Sequence, residues 1–232
     1  FYDEKSGDLS RMDTYIAEAN VADFVINKVK NSIKLDIDWS KYTHNEDGFD
    51  MTEQQSKALE NFCNSNISLL TGYAGCGKTT SIQGLIQLME DNDMSYTLLT
   101  PTGKASKVLS EATHRSAQTI HRACFSGEIA TDVVVVDEAS MINLEVMNML
   151  INSITNPNAR IVFSLDNAQL TPIGVGKVIS DLIETNIVPK TELTQVFRYT
   201  DDGSLFVATN IRNGKNFFTS DNVKEKGNTF SV

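Results

Sequence analysis

Short apolar runs alternate along the chain with longer segments whose apolar positions recur every three or four residues. The runs fall at 67–71, 96–100, 133–136 and 161–165, with a weaker one near 192–196. Helix-like segments at 79–90, 104–112, 144–154 and 176–185 lie between them. None of the runs is joined to the next by a short hairpin turn. Buried strands alternating with helices predict an α/β fold, a mostly parallel sheet covered by helices on both faces. A helix over 52–62 leads into it, because Thr52 stands three residues before Gln55 as in a capping box. Upstream, 12–29 predicts an amphipathic helix with Ile16, Ala19, Val21, Phe24, Val25 and Val29 on its apolar face. A polar, acidic stretch over 36–50 follows, ending in the turn-like Asn45, Glu46, Asp47 and Gly48. Residues 1–50 therefore read as a small helical appendage or the tail of a preceding domain.

Composition narrows the class without changing that picture. A chain of 232 residues suffices for one sizeable core, and 41% apolar with 22% charged residues is ordinary for a globular protein. No apolar run approaches the ~20 residues of a membrane span. The chain starts at Phe1 without a basic-then-apolar leader pattern, which reads as a trimmed or partial chain in a cytoplasmic setting. Cys63, Cys76 and Cys124 form no CxxC pair, and His121 with Cys124 supplies only two ligands, so free thiols and no zinc are expected. The net charge of −10 argues against holding nucleic acid by bulk electrostatics. A local strip departs from it: over 99–122, Lys104, Lys107, Arg115 and Arg122 face only Glu111, with His114 and His121 beside them. For Lys107 and Arg115 a solvated helix face is the competing reading.

Two segments carry chemistry. GYAGCGKTT, from Gly72 to Thr80, matches GxxxxGK[ST] after a strand and before a helix. Gly72, Gly75 and Gly77 let the backbone curl so that N–H groups, including those of Cys76 and Thr80, face phosphate oxygens at a helix N-terminus. Lys78 reaches the β and γ phosphates, and the Thr79 hydroxyl joins the shell of a Mg²⁺ ion. Cys76 is a small side chain accommodated in a tight loop. In VVVVDEAS, four β-branched residues end in two carboxylates at the C-terminal edge of a strand, where open parallel sheets bind ligands. Asp137 is expected to hold Mg²⁺, directly or through water, and Glu138 to orient and deprotonate the attacking water. These elements predict a nucleoside triphosphatase, most simply an ATPase.

The ordered set MTEQQSKAL, GYAGCGKTT, TPTGKAS, TIH, VVVVDEASM, LDNAQLTPIGVG, ELTQVFR and ATNIRNGK, within 51–216, resembles the first RecA-like motor domain of superfamily 1 DNA helicases, in the RecD and Dda branch. The resemblance implies that Gln55 reads the adenine edge, Gln169 senses the γ phosphate and Arg198 touches it. It implies that Pro101, Thr102, Gly103 and Lys104 grip single-stranded DNA, with Thr119 and His121 as a second contact. It further implies 5′ to 3′ movement, a second RecA-like domain of the same parent chain beyond 217–232, and replication or repair proteins as partners. Three departures stand out: Leu165 where the family has Gly before Asp166, Thr171 before Pro172, and only eleven residues between His121 and Val133, too few for the longer strand-separating hairpin of relatives. A stand-alone P-loop ATPase that remodels a protein complex, and a nucleotide-binding module that only switches shape, are the alternatives.

Overall fold

The computed structural model describes residues 11–44, 50–166 and 172–197. Six strands form one parallel sheet: β1 (Ile67–Gly72), β2 (Tyr96–Thr100), β3 (Ala117–Thr119), β4 (Val133–Val136), β5 (Arg160–Leu165) and β6 (Lys190–Leu193). Their spatial order is β3-β2-β4-β5-β1-β6. The helices are α1 (Met12–Lys30), α2 (Glu53–Asn64), α3 (Lys78–Asp91), α4 (Gly103–Thr113), α5 (Ile120–Ser126), α6 (Leu144–Ser153) and α7 (Val178–Thr185). Among the described residues no helix is long and apolar enough to cross a membrane.

Strand alternation splits the interior into two cores. Ile67, Leu69, Val134, Val136, Ile161 and Phe163 face α1, α5, α6 and α7. Leu70, Leu98, Val133, Val135 and Val162 face Leu59 and Phe62 of α2, Ile82, Leu85 and Leu88 of α3 and Leu109 of α4. Each valine of β4 is 0% exposed, and burying one is worth roughly 1.5–3 kcal/mol. This double burial is what the unbroken run VVVV announced.

The weak run expected at 192–196 is a strand at 190–193 instead. It pairs with β1 alone, and its residues alternate between exposed and buried, so its apolar signal is diluted. β3, at the other edge, has three half-buried residues and no apolar run to betray it.

The N-terminal appendage is docked. Ala17, Val21 and Val25 are buried in the first core, with Phe24 packed against it, while Ile16 is 50% exposed and Ala19 also faces out. Of the expected face, Val21, Phe24, Val25 and Val29 pack on the core, while Ala17 and Lys28 are buried where Ile16 and Ala19 were expected. The Lys28 Nζ donates to the carbonyls of Pro157 (2.9 Å) and Ala159 (2.5 Å). Burial, with Arg160 nearby, pushes the Lys28 pKa below its ordinary value. Arg160, also buried, donates to the carbonyls of Phe62, Ser65 and Ile33. These two cations cap carbonyls at the N-terminal edge of the sheet, opposite the edge that carries the chemistry.

Candidate functional site

The C-terminal ends of the strands bring the sequence motifs together. Thr100 and Thr119 are register partners across β2 and β3, Leu99 pairs with Val136 across β2 and β4, and Thr71 pairs with Leu165 across β1 and β5. The loops after these strands therefore share one edge, the position where parallel sheets bind ligands.

At the centre lies a pocket of about 550 Å³, lined by Asp50, Gln55, Ala74, Gly75, Gly77, Lys78, Thr79, Thr80, Val108, Asp137, Glu138, Asp166 and Phe197. That volume is within the ~300–1,000 Å³ common for small-ligand sites. Two glycines are required by position. Gly77 has φ +83°, and a Cβ there would fall 2.1 Å from Gln55 Nε2. A Cβ on Gly72 would lie 2.9 Å from both Cβ and the carbonyl oxygen of Leu193, so the missing side chain lets β6 close on β1. Cys76 turns away from the pocket: its side chain is buried in the second core and its N–H donates to Tyr73 O. The loop must bend its backbone outward to present the phosphate-facing groups, which leaves the intervening side chain pointing inward.

Lys78 lies folded back on the loop. Its Nζ donates to Gly72 O (2.7 Å) and Tyr73 O (3.1 Å) and stands 4.0 Å from Asp166 Oδ2. Asp137 Oδ1 accepts from the buried Ser164 hydroxyl at 2.7 Å, which fixes the carboxylate's orientation. Glu138 adopts a left-handed backbone at φ 56°, ψ 35°, at the start of a short 3₁₀ turn over Ala139–Met141. Thr79 and Asp137 offer hydroxyl and carboxylate oxygens, hard donors that suit Mg²⁺. Among the described residues no group of three or more His, Cys, Asp or Glu forms a metal cage. Such a donor set fits an ion whose shell is completed by substrate phosphates and water.

Gln55 closes the capping box of α2, as expected: Thr52 N donates to its Oε1 (2.9 Å) and its own N–H donates to Thr52 Oγ1 (3.3 Å). Its Nε2 donates to Gly77 O at 3.2 Å, so this amide ties the start of α2 to the loop. Neighbouring Gln54 accepts from Thr194 N–H (2.9 Å), and Phe197 N–H donates to Gly75 O (2.8 Å). Those bonds hold the half-exposed Phe197 ring against the loop, beside Gln55. Gln169 and Arg198 lie outside the described residues.

The second motif group is built by caps. Thr102 accepts from Ala105 N–H (3.2 Å) to start α4, and Thr119 accepts from Arg122 N–H (3.2 Å) to start α5. Thr100 Oγ1 donates to Thr102 O (3.0 Å), bracing the turn that carries Pro101 and Gly103. Lys104 and His121 are exposed. The basic strip is thinner than the sequence suggests: Arg115 makes two bonds to Glu90 at 2.6 and 2.8 Å, and Lys107 pairs with Glu111 at 3.8 Å. Hydrogen bonds from Arg115 and then Tyr96 pull the Glu90 pKa down to about 2.

Asp50, Val108, Asp166 and Phe197, which line the pocket, and Ser164, behind Asp137, had not been singled out for the site from sequence. Asp166 and Phe197 stand inside the quoted segments LDNAQ and ELTQVFR, and that adjacency was their only signal.

Comparison with known proteins places the family and the fold. The ATP-dependent RecD2 DNA helicase of Deinococcus radiodurans is 32% identical over 158 residues, covering 64% of this chain and 22% of that protein. The ATP-dependent DNA helicase dda of Enterobacteria phage T4 is 30% identical over 167 residues, covering 63% of this chain and 38% of that protein. The matched segments thus span well under half of these relatives. Among solved structures, Bacteroides Pif1 bound to ssDNA superposes with a TM-score of 0.52 at 22% identity, covering 78% of this chain and 51% of that one, a likeness of fold. A family model described as an AAA domain matches residues 50–229. The chain belongs to that AAA-domain family (AAA_30), and its ordered motifs are those of the first motor domain in the RecD- and Dda-like branch of superfamily 1 helicases.

Proposed function

We propose that this chain is the ATP-hydrolysing first motor domain of a DNA helicase that moves 5′ to 3′ on single-stranded DNA. The observation that carries this reading is the shared edge. The nucleotide pocket and the capped turns at Thr102 and Thr119 lie side by side at the strand ends, joined through Asp137 and Glu138. The relatives' names, as ATP-dependent DNA helicases, support it.

In this reading Lys78 leaves the carbonyls of Gly72 and Tyr73 for the β and γ phosphates. Its retracted position supports a loop that opens only when an anion competes for the ammonium. Thr79 and Asp137 hold Mg²⁺, which supplies charge neutralisation on the triphosphate. Glu138 accepts a proton from the water that attacks the γ phosphorus, as the bond to the β–γ bridging oxygen breaks to give ADP and phosphate. Gln169 and Arg198 sense and stabilise the γ phosphate. Phe197 offers a ring face to the adenine, and Gln55 reads its edge by trading the Gly77 carbonyl for the base. Pro101, Thr102, Gly103, Lys104, Thr119 and His121 grip the strand through hydroxyls, N–H groups and few cations, a contact weak enough to release at each step. A second RecA-like domain of the parent chain supplies the opposite wall.

ATP turnover by the full chain, with and without oligo(dT), tests this. Stimulation is expected, together with loss of turnover in Lys78→Ala and retained ATP binding without hydrolysis in Glu138→Gln. Turnover indifferent to DNA across a range of salt removes the helicase reading.

A further inference from the structure

The acidic stretch ahead of the first motif reaches the nucleotide pocket. Trp39 and Tyr42, the ends of a 3₁₀ turn over Trp39–Tyr42, pack on the second core against α2 and α3. Tyr42 Oη accepts from Asn92 Nδ2 at 3.1 Å, and the buried Met51 side chain lies over Gly84 of α3. Met51 N–H donates to Thr43 O at 2.7 Å, and His44 and Asp50 pair as an antiparallel bridge. Asp50 is thereby held at the pocket wall, which it lines together with Gln55, Gly77, Thr80 and Phe197. His44 Nδ1 stands 2.5 Å from Asp50 Oδ1. A carboxylate only accepts, so the ring carries a proton on Nδ1 and pins that oxygen, leaving Oδ2 for a ligand.

Sheet order says which end of the pocket this is. Asp137 and Asp166 follow β4 and β5, on one side of the glycine loop after β1, and Phe197 follows β6 on the other. Asp50 stands two residues ahead of Thr52, the cap of α2, and α2 is tied to that second side through Gln54 to Thr194 and Gln55 to Gly77. A carboxylate near the triphosphate is opposed by its charge unless a metal ion intervenes, so at this end it needs neutral donors. With the adenine edge taken by Gln55 and its face by Phe197, the donors that remain are the ribose hydroxyls. We propose that Asp50 accepts from the ribose 2′ and 3′ hydroxyls and makes the pocket prefer nucleotides that carry them, with His44 as its positioning residue. The inference rests on the nucleotide-binding reading above and names a specificity-determining residue within it. A hydrogen bond to a charged acceptor is stronger than one between neutral groups. Without the hydroxyls, the carboxylate faces an anionic nucleotide with no donor to offset its charge. Both side chains are exposed, so water competes and the preference is modest.

Calorimetric titration of the full chain with ADP, 2′,3′-dideoxy-ADP and IDP, in Mg²⁺, tests this without turnover. Wild type is expected to bind ADP roughly fivefold more tightly than the dideoxy analogue, the modest size that suits an exposed acceptor. Asp50→Ala should lose that factor on ADP alone, leaving the dideoxy analogue bound as in wild type or better. Asp50→Asn, which keeps an acceptor without the charge, should fall between. His44→Ala is expected to lower the preference to about half or less, and His44→Asn, whose amide stands in for Nδ1–H, to restore most of it. A wild type that binds ADP and the dideoxy analogue equally, or an Asp50→Ala that weakens both alike, overturns the proposal. Loss of discrimination between ADP and IDP in Asp50→Ala, with the ribose preference intact, places the carboxylate on the base and overturns it too. A chain that binds no ADP at all fails at the earlier reading, a different result from any of these.

Discussion

Gln55 is the residue on which structure and resemblance make the most distinct demands. Its amide is nearly buried, accepts from Thr52 and donates to Gly77 O. Truncation to alanine removes one half of a capping box, worth ~1 kcal/mol. It also removes the bond to Gly77, worth another ~1 kcal/mol. At about 2–4 °C per kcal/mol for a domain of this size, the melting temperature of Gln55→Ala should fall by about 4–8 °C without nucleotide. Gln55→Glu keeps the acceptor for Thr52 N–H but sets a nearly buried carboxylate oxygen against the Gly77 carbonyl, so a loss at least as large as that of Gln55→Ala is expected. In Gln55→Ala the loop loses its brace and adenine loses its reader, so affinity for a fluorescent ADP analogue should weaken by roughly fivefold for ~1 kcal/mol, and for a GDP analogue by less. Thermal unfolding followed by circular dichroism and titration by fluorescence anisotropy give the two readouts. A Gln55→Ala protein that melts within about 1 °C of wild type refutes the bracing role. Loss of affinity confined to the adenine analogue would return Gln55 to base reading alone.

Ser164→Ala leaves Asp137 Oδ1 without its donor, a bond of the charge-assisted kind worth about 1.5–3 kcal/mol. Mn²⁺ affinity in the presence of ADP, read by electron paramagnetic resonance, is expected to weaken about tenfold, and an unchanged value would show that Asp137 needs no such support. The Glu90 cluster sets an acid limit. The folded pKa of Glu90 is depressed to about 2 from 4.5, so its stabilisation is complete above about pH 4.5 and disappears as pH falls through 2. Glu90 is partly exposed, so solvent screening cuts the contribution to about 1 kcal/mol. The melting temperature of wild type should therefore drop more steeply than that of Glu90→Gln between pH 4.5 and 2, and parallel curves would contradict the assignment.

The central strands were legible because they are buried on both faces, as the four valines of β4 declare. The edges were not: β6 alternates and β3 has no apolar residue except Ala117, since one-sided pairing demands less of the sequence. The glycine loop, Lys78, Asp137 and Glu138 were readable because phosphate and metal chemistry restrict both residue type and spacing. Ser164, Phe197 and the bond from Gln55 to Gly77 were not, because each depends on contacts made across the fold. Arg115 illustrates the same limit in reverse. Its sequence neighbours made it part of a basic strip, whereas Glu90, 25 residues earlier, takes its charge. The face of α1 was read correctly at Val21, Phe24, Val25 and Val29 but missed Lys28, because a cation gives no apolar signal.

Lys28 also bears on the order in which the molecule is made. Its two acceptors lie 129 and 131 residues later in the chain. At ~5–20 residues per second, α1 must wait roughly 6–26 s after its own synthesis before Pro157 and Ala159 exist to receive it. For most of that interval α6, on which α1 chiefly packs, is also still to be made, and a helix with a wholly apolar face would invite clumping on the ribosome. A lysine near the end of the stripe remains hydrated and charged while it waits. It surrenders water only when the carbonyls that replace it have been translated, so α1 is not locked in place until the chain has reached the start of β5.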